Sequence, residues 1–302
     1  MDNSFHGAWP ALITPATADG SANLTALREL IDYMLAKNVD GLYVLGGTGE
    51  GLLISAEDRR LVAEAAIDQV GGRIPVIVHV GSISTVEAAA LASHAQEHGA
   101  DGVSSVLPVY LGGLDATYRH YGAIAAAAPD LPFFPYLFGG QIDAFSLMKE
   151  LLRRFPNVGG AKYTGPNMYE IAQIIELGRD MPEGRGWTIF SGMDEQCLFA
   201  AMMGAPGNIG STLNVMPGAY SRMHASCKSG AFAHALSLQK QANRLTEVMI
   251  NHGVAAALRV SMKALGIDCG PLRLPQETIS PQQEEILLAD LEEAGLAALA
   301  AM

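Results

Sequence analysis

Lys162 is the residue whose position most strongly suggests chemistry, because it lies near the end of a short apolar run, Val158–Tyr163, that is typical of a buried strand. Lysine covers apolar surface poorly, and an inward-facing lysine loses hydration, which disfavours its ammonium form. The neutral amine is a nucleophile that attacks carbonyl carbons and forms a Schiff base. A lone lysine is more often solvated or paired with a carboxylate, so the neighbouring residues must decide between these alternatives.

A glycine-rich turn, Gly46-Gly-Thr-Gly-Glu50, offers backbone N–H groups just before a helix, which is a common way to bind an anion. It lacks the lysine and spacing of a P-loop, so a carboxylate is as plausible a ligand as a phosphate. The alternative is a tight turn of small residues. Tyr136 and Tyr110 add two phenols that either carry protons in catalysis or are core residues with satisfied hydroxyls.

The segment His94-Ala-Gln-Glu-His98 matches the H-x-x-E-H pattern of inverted zinc proteases. It precedes Gly99, a helix-ending residue, and histidines favour helix C-termini. The sequence indicates no third ligand nearby. We therefore expect no metal site in this chain.

Eight short β-like runs, each followed by a helical pattern, would position these groups. Their starts lie roughly 20–35 residues apart, the spacing of consecutive βα units. The runs are Trp9–Thr14, Gly41–Leu45, Ile74–Val80, Gly102–Leu107, Leu131–Phe138, Val158–Tyr163, Trp187–Ser191 and Gly207–Ser211. This alternation predicts an α/β fold, a (β/α)8 TIM barrel. An open doubly wound sheet is the competing fold, but the turn Thr14–Gly20 has only one glycine.

After about residue 218 the β pattern stops and helical patterns follow. The last helix is opened by Ser280-Pro281, with Gln283 completing a capping box. We expect a barrel at residues 1–218 and a C-terminal helical extension at 219–302, packed on the barrel. In such barrels the catalytic residues lie at the C-terminal ends of the strands, which would bring Lys162, the glycine-rich turn and the tyrosines together.

Composition limits the classes of partner. The 302-residue chain has a net charge of −12, which disfavours nucleic acid and anionic membranes. Its three cysteines, Cys197, Cys227 and Cys269, are widely spaced and odd in number, which argues against a disulfide framework. The N-terminal segment MDNSFHGAWP lacks an export signal, and no apolar run is long enough to span a bilayer. These features favour a cytoplasmic location.

Together these motifs resemble the N-acetylneuraminate lyase / dihydrodipicolinate synthase family of class I Schiff-base lyases. The resemblance covers nearly the whole chain, from Ala11-Leu-Ile-Thr-Pro15 to Gly270-Pro-Leu-Arg273. It implies a (β/α)8 barrel with a C-terminal helical bundle, usually in a homotetramer. It also implies a small-molecule 2-oxo acid or sugar acid as the substrate and no metal or organic cofactor.

The resemblance implies a role for each motif. Lys162 would form the Schiff base, and Tyr136 would be the central acid and base. Thr48 and the backbone N–H groups of Gly47 and Thr48 would hold the carboxylate of the 2-oxo acid. Tyr110 is similar to the family's tyrosine that reaches across a subunit interface.

Further motifs resemble the N-acetylneuraminate lyase branch of the family. Thr164 places a hydroxyl two residues beyond the lysine. Gly192-Met-Asp194-Glu195 is similar to a segment whose acids bind the hydroxyls of a sugar chain, and Gly210-Ser211 begins a matching glycine-serine-threonine segment. Dihydrodipicolinate synthase would have an arginine where this chain has Gln141, so its reaction is not expected.

Three positions depart from the family pattern. Gly47 replaces a serine or threonine that relays protons, Tyr136-Leu-Phe-Gly139 replaces tyrosine-asparagine-isoleucine-proline, and Ala255 replaces an aromatic residue. Three functions therefore remain open. They are a lyase that cleaves a 2-oxo-3-deoxy sugar acid to pyruvate and an aldehyde, a dehydratase or aldolase of a shorter 2-keto-3-deoxy sugar acid, and a catalytically weakened 2-oxo acid binder or sensor.

Overall fold

The computed structural model of the chain describes residues 5–108, 110, 112–178 and 186–302. Residues 1–4, which begin the N-terminal segment considered above for an export signal, lie outside the described residues.

Eight parallel strands within these residues form one sheet. They are β1 (Gly7–Pro10), β2 (Leu42–Val44), β3 (Val76–His79), β4 (Gly102–Val106), β5 (Phe133–Phe138), β6 (Gly160–Thr164), β7 (Thr188–Ser191) and β8 (Gly207–Gly210). From β2 to β8 each strand pairs with the next one in the chain, and β8 pairs with β1. The predicted (β/α)8 barrel is therefore confirmed.

The barrel closes just past the end of β1. The N–H of Ala11 donates to Gly210 on β8, whereas the N–H of Leu12 donates to Tyr43 on β2. Ala11 also forms a parallel bridge with Tyr43. The predicted first strand, Trp9–Thr14, ends earlier than expected because its second half crosses from one neighbouring strand to the other instead of extending a single pairing.

Twelve α-helices lie within the described residues. They are α1 (Leu24–Ala36), α2 (Ala56–Val70), α3 (Thr85–Glu97), α4 (Leu114–Ala127), α5 (Ala144–Arg154), α6 (Met168–Glu176), α7 (Cys197–Met202), α8 (Pro217–Lys228), α9 (Phe232–His252), α10 (Val254–Ala264), α11 (Pro281–Glu293) and α12 (Leu296–Ala300). One helix follows each strand, and α9 to α12 form the C-terminal tail. No described helix has both the length and the apolar character needed to cross a membrane.

Helix ends follow the signals in the sequence. The Ser55 side chain caps α2 by accepting from the N–H of Asp58, and Gly71 ends that helix with a φ of 57°, a left-handed conformation that glycine adopts without strain. The capping box of Ser280 and Gln283 at α11 is present as predicted. These caps fix where each connection leaves the barrel.

Aromatic side chains fill the middle of the barrel, so it is a packed core with no open pore. Trp9, Phe134 and Phe190 are buried and pack edge to face, with Trp9 and Phe134 each 5.2–5.7 Å from Phe190 between ring centroids. Because side chains on a strand alternate between faces, a residue two positions after an inward-facing core residue also points inward, into the next layer. His79 on β3 and Tyr136 on β5 are two such residues. This upper layer forms the floor of the barrel mouth.

Candidate active site

Lys162 lies in this upper layer, on β6, with only 5% of its surface exposed. Its neighbours in register are Tyr136 on β5 and Phe190 on β7. Gly160 lets β6 approach β7 closely, because a Cβ there would lie 1.7 Å from the carbonyl oxygen of Thr188. Gly160 therefore allows the strand to carry Lys162 into the barrel.

The Lys162 amine is surrounded by aromatic faces. Its Nζ lies 4.0 Å from the ring centroid of Tyr136 and 5.0 Å from that of Tyr43. No carboxylate among the described residues forms an ion pair with it. The structure thus excludes, for the described residues, the alternative of a lysine neutralised by a salt bridge. An amine in this position is free to react with a carbonyl carbon.

Tyr136 and Thr164 provide hydroxyl groups beside the amine. Tyr136 is 9% exposed, and its hydroxyl accepts a long hydrogen bond of 3.5 Å from Thr164 Oγ1. Gly192 faces the same point, since a Cβ there would lie 1.9 Å from Thr164 Oγ1 and 3.1 Å from Lys162 Cε. A side chain at position 192 would displace both groups. The structure therefore brings Lys162, Tyr136, Thr164 and Gly192 together.

The glycine-rich turn (residues Gly46–Glu50) lies at the barrel mouth. The N–H groups of Gly47 and Thr48 donate to no acceptor within the described part of the chain, so they are available to an anion. Thr48 Oγ1 is 2.6 Å from Ser211 Oγ, which joins the turn to the end of β8. A Cβ built at Gly47 would have no heavy atom within 4 Å. The missing hydroxyl at this position thus leaves open space.

Glu50 holds the turn from beneath, a role that the sequence analysis did not assign. It is 4% exposed and adopts a left-handed φ of 55°. Its carboxylate accepts from Arg259 at 2.8 Å, from Arg273 at 2.7 Å and from Gln276 at 3.1 Å. Arg273 also donates to the carbonyl oxygens of residues 14, 15 and 20. The C-terminal tail therefore fixes the shape of the glycine-rich turn.

Asp194 lies in the wall between β7 and β8 and is 6% exposed. Its Oδ2 accepts from the N–H and Oγ1 of Thr212 at 2.9 and 2.8 Å, whereas its Oδ1 is buried and has no hydrogen-bond partner among the described residues. Burial raises the pKa of this carboxyl to about 6, although the hydrogen bonds from Thr212 act in the opposite direction. Gly210 makes room for Oδ1, because a Cβ there would lie 1.6 Å from it. Asp194 is therefore a buried acid with one unused acceptor.

Two predicted residues are less closely tied to this cluster. Glu195 is half-buried, and its backbone carbonyl accepts from Asn243 of the tail at 3.2 Å. Tyr110 is 81% exposed and lines neither of the mouth cavities described below. The chain by itself does not bring Tyr110 to Lys162.

His79 is a site residue that the sequence analysis missed. Its Nε2 accepts from the N–H of Val106 at 3.0 Å, so Nδ1 carries the proton and donates to the Leu45 carbonyl at 3.0 Å. Burial lowers the pKa of this imidazole to about 3, and the positive charges of Arg59 and Lys162 add to the effect. His79 is therefore neutral. The sequence did contain a signal for this residue. His79 lies two positions after Ile77 on β3, so its polar side chain is on the same, inward face of the strand.

Two cavities of about 200 and 320 Å³ open at the barrel mouth and share Gly47, Glu50 and Gln276 as lining residues. The smaller cavity also contacts Thr48, Ser211 and Ala255, and the larger one contacts His79, Tyr136 and Phe138. Three of the residues that replace the family's usual side chains, Gly47, Phe138 and Ala255, therefore line these cavities.

Comparison with known proteins agrees with this geometry. Residues 4–294 match the model of the dihydrodipicolinate synthetase family. The chain is 32% identical to N-acetylneuraminate lyase of Citrobacter koseri, over 95% of each chain. It is 33% identical to the human N-acetylneuraminate lyase, over 91% of this chain and 88% of the relative. A solved structure of a catalytic lysine mutant of the Ruminococcus gnavus sialic acid aldolase superimposes with a TM-score of 0.91 at 27% identity, covering 97% of both chains.

Proposed function

The chain belongs to the dihydrodipicolinate synthetase family, and we propose that it is a Schiff-base-forming lyase that cleaves a 2-oxo-3-deoxy sugar acid to pyruvate and an aldehyde. The observation that carries this proposal is the buried amine of Lys162, which lies 4.0 Å from the ring centroid of Tyr136 without a carboxylate partner in the described residues. A substrate of the N-acetylneuraminate type is favoured by the relatives.

In the proposed mechanism, the Lys162 amine attacks the 2-oxo carbon, and loss of water gives a protonated imine. The substrate's C4 hydroxyl loses its proton to Tyr136, directly or through the substrate carboxylate, while the C3–C4 bond breaks. The electron pair of that bond moves into the imine and gives an enamine, and the aldehyde leaves. Protonation of the enamine carbon and hydrolysis of the imine release pyruvate and restore the lysine. The lysine itself is the electron sink, so no cofactor is required.

The other predicted residues bind substrate in this proposal. Thr48, which is bonded to Ser211, and the free N–H groups of the glycine-rich turn hold the carboxylate of the 2-oxo acid. Thr164 contacts the hydroxyl of Tyr136 and is the nearest replacement for the hydroxyl missing at Gly47. Asp194 and Glu195 accept hydrogen bonds from the sugar hydroxyls, a role supported by the resemblance of residues 192–195 to a sugar-binding segment.

We also propose that the enzyme acts as a homotetramer in the cytoplasm. Tyr110 would then complete the site of a neighbouring subunit, which its 81% exposure in one chain supports. The three free cysteines support a reducing compartment. The division into a barrel at 1–218 and an extension at 219–302 is a proposal as well. The helix α8 (Pro217–Lys228) crosses this boundary and packs against β1 as the eighth barrel helix, which favours a boundary at the end of α8.

The test is to incubate the protein with pyruvate and borohydride, measure its intact mass and map the modified peptide. We expect one reduced adduct per chain, located at Lys162. The variant Lys162→Ala should form none, whereas Lys149→Arg, a change at an exposed lysine on α5, should react like the wild type. Failure of the wild type to form an adduct at Lys162 would overturn the proposal.

A panel of sugar acids then separates the remaining alternatives. Pyruvate released from N-acetylneuraminate supports the lyase. Consumption of a shorter 2-keto-3-deoxy sugar acid without pyruvate release supports a dehydratase. The departures from the family pattern at residues 137–139 and at Ala255 favour this alternative. Adduct formation without turnover of any candidate would instead indicate a 2-oxo acid binder, which Gly47 favours.

A further inference from the structure

A cluster of three metal-ligating side chains lies on the outer layer of the barrel, where α2 and α3 pack together. Glu64 Oε1 on α2 is 2.9 Å from Nε2 of His94, which lies on α3. The same oxygen is 3.7 Å from Nε2 of His98, the C-cap residue of α3. The three ligand atoms all lie within 4.8 Å of one another. The proposed active site uses none of these residues.

The hydrogen bonds of His98 prepare it as a ligand. Its Nδ1 lies 2.8 Å from the His94 carbonyl oxygen, which accepts only, so Nδ1 carries the proton and Nε2 keeps its lone pair. Metal-bound histidines commonly donate their other ring N–H to a carbonyl or carboxylate, which fixes the tautomer and the ring orientation. The rings of His94 and His98 stack with centroids 4.0 Å apart, and the Nε2 atoms of both lie near Glu64 Oε1. His94 Nε2 donates to this oxygen, so a bound cation would take the place of that proton.

We propose that Glu64, His94 and His98 form a binding site for a late first-row divalent cation such as Zn²⁺ or Ni²⁺. Two imidazoles and one carboxylate suit these ions, and two histidines four residues apart on a helix are a recurrent zinc-binding arrangement. With metal–ligand distances of about 2.0–2.2 Å, ligand atoms around a tetrahedral ion lie about 3.3 Å apart, which small side-chain rotations of this cluster reach.

Access and geometry also fit an ion that is partly hydrated. The side chains of His94, His98 and Glu64 are 13%, 40% and 37% exposed, so water can fill the remaining coordination positions. Bound metal would cross-link α2 to α3. The site is thus a stabilising or regulatory one on the outer helices, away from the barrel mouth.

This proposal differs from the expectation that the chain has no metal site, which rested in part on the lack of a third ligand in the sequence. The glutamate inside the H-x-x-E-H pattern is not that ligand, because Glu97 accepts from Ser93 Oγ at 2.9 Å. The third ligand comes instead from Glu64, which lies 30 residues before His94 on the preceding helix. Only the packing of the two helices brings it into place.

The test is calorimetric titration of metal-free protein with Zn²⁺ and, separately, with Ni²⁺. We expect one site per chain and a melting temperature that rises with metal concentration, because the ion binds only the folded state. The variants His94→Ala and His98→Ala should each weaken binding by about tenfold or more, and Glu64→Gln should also weaken it. Circular dichroism checks that each variant is folded, and the more exposed His98 is the safer substitution.

The matched control is His252→Ala. His252 pairs with Asp290 at 2.7 Å but, among the described residues, has no second histidine beside it. This variant should bind metal like the wild type. Absence of binding to the wild type, or binding that His94→Ala and His98→Ala leave unchanged, would overturn the proposal.

Discussion

Replacing Glu50 by glutamine should cost the protein much of its stability, although the change removes only one charge. The carboxylate is 2% exposed and receives hydrogen bonds from two buried guanidinium groups, those of Arg259 and Arg273, which are 9% and 4% exposed. A neutral amide leaves these cations without their counter-charge in a region that excludes water. Removing one partner of a buried ion pair typically costs about 3–5 kcal/mol, and we expect Glu50→Gln to fall in this range.

The substitution isolates charge from shape. Glutamine has nearly the same size and keeps the backbone at φ 55°, so the loss can be assigned to the missing charge. Urea unfolding followed by circular dichroism, at one fixed protein concentration, gives the change in free energy. The rate of pyruvate adduct formation should fall in parallel, because the same carboxylate holds the glycine-rich turn.

Glu284→Gln is the matched control for this experiment. Glu284 pairs with Lys263 at 2.7 Å, close to the distance between Glu50 and Arg273, but both partners are exposed at 35% and 58%. Exposed ion pairs are solvated in both the folded and the unfolded states and contribute little. An unfolding midpoint for Glu50→Gln that matches that of Glu284→Gln would refute the reasoning.

Three further predictions concern the site. Gly47→Ser fits the open space at that position and should raise the lyase rate, by about tenfold if it restores a proton relay to Tyr136; steady-state kinetics measure this. Burial raises the pKa of Asp194 to about 6, so kcat/KM should fall as the pH drops through 6, because the carboxyl gains a proton and loses acceptor capacity. The variant Asp194→Asn should show a flatter dependence of kcat/KM on pH. The pKa of His79 is lowered to about 3 from the ordinary 6.5, so as the pH falls the imidazole takes up a proton in the unfolded state before it does so in the folded state. The free energy of unfolding should therefore decline as the pH falls from 6.5 towards 3, by about 1.4 kcal/mol per pH unit for this group. Urea unfolding of His79→Asn should show a weaker dependence of this free energy on pH.

Each of these three has a distinct contrary result. A Gly47→Ser variant that folds normally but is no faster would show that Thr164 or the substrate already supplies the relay. A pH profile that Asp194→Asn leaves unchanged would remove Asp194 from the set of titrating substrate-binding groups. An equal pH dependence of stability in wild type and His79→Asn would mean that other groups control unfolding in acid.

The sequence predicted most of the barrel because its signals are local. A strand and its following helix are each specified by a run of neighbouring residues, and all eight strands were placed to within a few residues, apart from the end of β1. Lys162 and Tyr136 were proposed as site residues for the same reason, since each belongs to a strand whose direction and end can be read from its pattern. The alternation of faces would also have pointed to His79, which the sequence analysis missed.

Contacts between distant residues were not predictable in this way. Glu50 meets Arg259 and Arg273 across 209 and 223 residues, and no spacing in the sequence pairs them. Asp194 was expected to face the substrate's hydroxyls, but its burial beside Thr212 depends on how β7 packs against β8. Tyr110 shows the opposite limit, because the role we propose for it, in the site of a neighbouring subunit, could not be read from contacts within its own chain.

The pairing of β1 with β8 has a consequence for synthesis on the ribosome. Gly7 pairs with Gly207, so the first strand made must wait for about two-thirds of the chain before its partner β8 exists. The arginines that brace the glycine-rich turn emerge later still, at positions 259 and 273. A nascent or truncated polypeptide therefore carries Lys162 without a finished binding pocket, and its nucleophile should acquire a properly held substrate only when translation is nearly complete.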